Sequence, residues 1–132
     1  MSTVLVVDDD EDLREMLVQQ LEKTRHHVMA ARTGREALLL LARADLHIEL
    51  VISDIYMPGV DGFEVLTACT TLGVSVIGMS GGDSRGRFDS LRAAGHLGAV
   101  HVLQKPFSTD ELFAVVDDLL KSEATASAEE VG

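Results

Sequence analysis

Residues 4–12, "VLVVDDDED", run four apolar residues straight into five acidic ones. The β-branched apolar part reads as a buried strand. The acids either open a helix, whose positive end they suit, or gather around a cation. Short apolar runs recur at 50–52 (LVI) and 74–77 (VSVI), with weaker ones at 27–31 (HVMAA) and 100–103 (VHVL). Between them apolar residues return every three or four positions, as in amphipathic helices. Leu13, Met16, Leu17 and Leu21 mark the first helix, and Ala37, Leu38 and Leu41 the second. Phe63, Leu66 and Leu72 mark the third, and Phe88, Leu91 and Leu97 the fourth. Leu112, Val115, Val116, Leu119 and Leu120 mark the fifth, entered through "STDE", where Ser108 or Thr109 can cap.

Strand and helix therefore alternate five times, which predicts an α/β fold: a parallel sheet covered by helices on both faces. Ligands meet such sheets at the carboxyl ends of the strands. The chain of 132 residues fits one domain, expected over residues 1–121. Residues 122–132, "SEATASAEEVG", lack a core pattern and are expected to form a disordered tail or linker remnant. The net charge of −11 argues against nonspecific binding to nucleic acid or to anionic membranes. The single cysteine, Cys69, excludes an internal disulfide and suits a reducing compartment. With no leader-like start and no apolar stretch of spanning length, a cytoplasmic location is expected.

The residues just past each strong strand are the chemically interesting ones. Asp8 and Asp9 follow the first strand, Ser53 and Asp54 the third, Ser80, Gly81 and Gly82 the fourth, and Gln104, Lys105 and Pro106 the fifth. A parallel sheet brings all of them to one edge. Three carboxylates there demand positive charge beyond the single Lys105, and an all-oxygen set suits Mg2+ together with phosphoryl oxygens. Lys105 and the Ser80 hydroxyl would be donors to those oxygens, and one carboxylate would be free to act as a nucleophile.

Four segments, in order, resemble the receiver domain of the two-component response regulators: "VLVVDDDEDLREML", "LVISDIYMPGVDGFEVL", "VIGMSG" and "VLQKPF". The resemblance spans roughly residues 3–121 and implies a flavodoxin-like (βα)5 doubly wound sheet, order 2-1-3-4-5. It implies that Asp54 is the phosphoacceptor and that Asp9 binds Mg2+ directly, with Asp8 acting mainly through a bound water. The backbone carbonyl of Tyr56 would complete the protein's metal ligands. Lys105 and Ser80 would contact the phosphoryl group, and Lys105-Pro106 would be a cis peptide. The donor would be a sensor histidine kinase or a histidine phosphotransfer protein, and a downstream protein or effector domain would sense the helix 4/strand 5/helix 5 surface. The domain would be a signalling module that catalyses only its own phosphorylation and dephosphorylation.

Two positions depart from the pattern: the fifth strand carries Val102 where the family usually has an aromatic residue, so the usual readout is lost or takes another route, and Gly81, where the family commonly has alanine or another small residue, is a milder departure. Asp10, Glu11 and Asp12 read as ordinary helix-start acids, and Cys69 as a small buried residue. The scattered histidines, 26, 27, 47, 96 and 101, have no metal-site spacing. A pseudo-receiver acting by contact alone is disfavoured by the complete set of acids, Ser80 and Lys105. A flavin-binding protein would need a Ser/Thr/Gly-rich first loop, which here is acidic. A haloacid-dehalogenase-type phosphatase finds its Asp-x-Asp text in Asp8 and Asp10, but not its later segments.

Overall fold

The computed structural model describes residues 3–24, 26–54, 62–80 and 100–131, the side chains of 62, 63, 80, 100, 102, 104 and 121–131 excepted. The five apolar runs become strands: β1 (Thr3–Val7), β2 (His27–Ala31), β3 (Ile48–Asp54), β4 (Ser75–Ser80) and β5 (Val100–Gln104). All neighbours pair in parallel, in the order β2-β1-β3-β4-β5. Strands β1 and β3, both interior, have no solvent face, so Val4–Val7 and Leu50–Ile52 are fully buried. That is why they read as continuous apolar runs and not as alternating ones.

Side-chain alternation along the strands divides the core into two layers. Leu5, Val7, Val51 and Val76 pack with Ala37 and Leu41 of α2 (Gly34–Leu41) and with Val65, Leu66 and Cys69 of α3 (Gly62–Leu72). Val4, Val6, Leu50, Ile52, Ile77, Met79 and Leu103 pack with Leu17 and Leu21 of α1 (Glu11–Glu22). The C-terminal helix (Thr109–Val131) adds Leu112, Val116 and Leu120 to this second layer. Burial pushes the Cys69 thiol up to about 12, so it behaves as an inert apolar residue.

Polar side chains fix where the helices begin and end. Asp10 caps α1 by accepting from the Leu13 amide at 3.2 Å, with Glu11 and Asp12 in the first turn. Thr33 caps α2, and Ser108, the first of the two expected candidates, caps the C-terminal helix through the Glu111 amide. Helix α3 stops at Gly73, whose φ of 72° lies in the left-handed region. Its amide and that of Val74 bond back to the Thr70 and Cys69 carbonyls, a paired closure that satisfies the helix end.

Two sequence expectations change. Met16, placed in the apolar stripe of α1, is 40% exposed, and Leu72 at the end of α3 is 55% exposed. Both lie on helical faces that the sheet does not reach; the buried positions are Leu17 and Leu21 in α1, and Val65, Leu66 and Cys69 in α3. The C-terminal helix runs to Val131 and so includes residues 122–131, which the sequence sets apart as a tail or linker remnant. Those residues carry no core pattern, yet their alanines and glutamates favour a helix and no glycine or proline intervenes before Gly132. Leu120 is the last described residue of that helix to join the core. The expected fourth helix, with Phe88, Leu91 and Leu97, lies outside the described residues.

Candidate functional site

Three rows of core side chains on the α1 face of the sheet run on, one step of two residues further, into charged groups. Val4 and Val6 lead to Asp8, Leu50 and Ile52 lead to Asp54, and Leu103 leads to Lys105. Since Val6 pairs with Ile52 in register, Asp8 and Asp54 fall side by side at the carboxyl ends of β1 and β3. The Lys105 ammonium, arriving from the end of β5, lies 3.4 Å from Asp8 Oδ2 and 3.2 Å from Asp54 Oδ2. The Lys105-Pro106 peptide is cis.

Asp8 is held on every side and is fully buried. Its Oδ1 accepts from the Asp10 amide at 2.9 Å, and its own amide donates to the Ala31 carbonyl at 3.2 Å. Its carbonyl accepts from the Arg14 guanidinium at 3.0 Å. Burial pushes the Asp8 carboxyl above its ordinary value; the Asp10 amide and Lys105 pull it partly back, and the neighbouring Asp54 charge adds to the rise. At Lys105 burial works against the charged form, but the attraction of Asp8 and Asp54 outweighs it and the ammonium is held above its ordinary value. The hydroxyl of buried Ser53 donates to the Asp54 carbonyl at 3.0 Å.

Asp9 differs from Asp8 in being exposed. Its carboxylate oxygen and those of Asp8 and Asp54 nevertheless lie within 4.8 Å of one another. Three carboxylates against one ammonium leave the cluster negative. A hard divalent cation with oxygen preference fits this donor set, with room for waters and substrate oxygens in its remaining positions. The fit rests on the donors themselves, one of them a buried carboxylate that lacks a full complement of positive charge.

Of the residues singled out in the sequence, Asp8, Asp9, Asp54 and Lys105 are thus brought together. Ser80 closes β4 in register with Gln104, but its side chain lies outside the described residues, as do Tyr56, Gly81 and Gly82. Val102 pairs with Gly78 in the sheet, its side chain likewise outside the description. Arg14 was not among the expected site residues. The signal available was that it is the only cation between residues 8 and 22.

Comparison with known proteins agrees with this arrangement. The family model described as the response regulator receiver domain matches residues 4–117. The chain is 38% identical over 123 residues to the response regulator MprA of Mycolicibacterium vanbaalenii, covering 89% of this chain and 50% of that protein. It is 32% identical over 128 residues to the transcriptional regulatory protein GlrR of Escherichia coli, covering 96% of this chain and 28% of that one. It therefore spans half or less of the length of these curated relatives. Among solved structures it resembles the Vibrio cholerae chemotaxis protein CheY4, with a TM-score of 0.76, 28% identity and coverage of 90% and 98% of the two chains. A receiver domain from Clostridium thermocellum gives a TM-score of 0.82 at 23% identity, covering 96% and 99%, and so speaks to the fold.

Proposed function

Since the chain belongs to the response regulator receiver domain family, a family of signalling domains, we propose that it takes a phosphoryl group from a phosphohistidine onto Asp54. A carboxylate oxygen of Asp54 attacks phosphorus, the phosphorus–nitrogen bond breaks, and the electron pair leaves with the donor imidazole. A histidine kinase or histidine phosphotransfer protein is the donor, and a downstream protein or effector domain takes the output.

The observation that carries this reading is Lys105, an ammonium placed 3.2 Å from Asp54 and 3.4 Å from Asp8. Catalysis of phosphoryl transfer consists mostly of positioning and charge neutralisation. Lys105 is placed to move from the Asp54 carboxylate to the phosphoryl oxygens that replace it. Asp8, Asp9, Asp54 and the Tyr56 carbonyl would hold Mg2+, which supplies further neutralisation of those oxygens. Ser80 donates its hydroxyl to a phosphoryl oxygen and draws the chain after β4 with it, biasing the surface around the fourth helix, β5 and the C-terminal helix. With Val102 in place of an aromatic residue, that bias reaches the partner by backbone displacement and not by a swinging ring. The domain acts on no substrate but its own aspartate.

The test is incubation with Mg2+ and a small phosphodonor such as acetyl phosphate. The expected product is an acid-stable, base-labile phosphate that Asp54→Ala abolishes. A label that survives Asp54→Ala, or a wild-type chain that takes up none, overturns the proposal.

A further inference from the structure

Arg14 occupies a position that helix preference does not explain. It lies in the second turn of α1, near the positive end of the helix dipole, where a cation is unfavourable. Asp10, Glu11, Asp12 and Glu15 surround it in sequence. Yet the bond its guanidinium makes among the described residues is to the backbone carbonyl of Asp8, at 3.0 Å and partly buried. That carbonyl belongs to the peptide plane joining Asp8 to Asp9, just beyond the last residue of β1. With the Asp8 amide tied to Ala31 and its Oδ1 tied to the Asp10 amide, the Arg14 bond fixes the remaining freedom of this plane. Asp9 is exposed, and among the described residues no hydrogen bond holds its carboxylate. The peptide that precedes Asp9 therefore holds the backbone from which its carboxylate reaches towards Asp8 and Asp54.

We propose that Arg14 is a positioning residue for the cation site: by holding the Asp8–Asp9 peptide plane it aims the Asp9 carboxylate at the point shared with Asp8 and Asp54. This rests on the reading of that cluster as a Mg2+ site. Groups that orient metal ligands without touching the metal contribute about 10–100-fold to affinity. The opposite sign follows if Arg14 acts only through its charge, since removing a nearby cation would tighten the binding of Mg2+.

Isothermal titration of Mg2+ into the full chain separates these outcomes, with Arg14→Met, Arg14→Lys and Asp9→Asn alongside and circular dichroism reporting the metal-free fold. Arg14→Met is expected to retain the metal-free fold and to bind Mg2+ about tenfold more weakly. Arg14→Lys, which keeps the charge and much of the reach, recovers most of that loss. Should Arg14→Met not fold, Arg14→Gln replaces it with the same expectation. Unchanged or tighter binding in the neutral variant, while Asp9→Asn loses the metal, overturns the role of Arg14 alone. A wild-type chain that binds no Mg2+, or binds it no better than Asp9→Asn, overturns the cation site and this inference together.

Discussion

On the α2/α3 side of the sheet, the rows through Leu5 and Val51 end in Val7 and Ser53. On the α1 side, the neighbouring rows through Val6 and Ile52 run on into Asp8 and Asp54, where Lys105 meets them. The same strands supply both faces, one residue apart. The first face ends in packing, with even the Ser53 hydroxyl satisfied by backbone, and the second ends in unbalanced charge. Pleating is what separates them: a register slip of one residue would bury the apolar end of the row and turn the acids towards the wrong layer. Both faces carry core packing, but only one ends in charge, so the α2/α3 layer can be disturbed without touching the acids.

The largest disturbance should come from the packing face. Leu66→Ala removes a buried side chain from the α2/α3 layer and is expected to lower the unfolding free energy by about 2–5 kcal/mol, read by urea denaturation. The folded fraction should still take phosphate from acetyl phosphate at the wild-type rate, because nothing on the charged face has moved. If that rate fell in step with stability, the separation of the two faces would be refuted. Lys105→Met works on the other face. It should slow phosphoryl uptake by about 100-fold, as loss of one preorganised donor to a developing negative charge does, under conditions where the variant remains folded.

The smallest effect sharpens the comparison through pH. Burial raises the Asp8 carboxyl above its ordinary value of 3.8. A folded-state value raised in this way contributes stability that is fully present below the unfolded value and is lost as pH rises through the folded one. The metal-free protein should therefore lose stability from about pH 4 upwards as Asp8 ionises. At neutral pH, Asp8→Asn should stabilise the metal-free fold modestly, flatten that slope, and lose the added stability that bound Mg2+ would give the wild type. A variant less stable than wild type at pH 7 would show that the bonds from Asp10 and Lys105 outweigh burial.

Much of this architecture was legible because local rules and global fold agree. Continuous apolar runs announced central parallel strands, and once those are parallel, the residues after β1, β3 and β5 must share an edge. That is how Asp8, Asp9, Asp54 and Lys105 could be grouped although nearly a hundred residues separate the first from the last. Helical periodicity was less informative, because it marks an apolar stripe without saying how far a sheet covers it. Met16 and Leu72 fall on the stripe and outside the cover. Arg14 was missed for a related reason: its partner is a backbone carbonyl, and no residue type in the sequence signals that.

The amino-acid pattern by itself determined the alternating order of the described elements, the carboxyl edge as the place where Asp8, Asp9, Asp54 and Lys105 gather, and the acidic residues at the start of α1. Adjacent acids look alike in sequence, however, and only the tertiary structure distinguished Asp8, wholly buried and pinned by four contacts, from Asp9, exposed beside it. Alternation sends consecutive side chains in different directions, but which direction leads into a packed, low-dielectric interior depends on what α1, the C-terminal helix and Lys105 bring across the sheet. Burial and charge pairing arise between distant segments, and so they belong to the folded chain and not to the order of its residues.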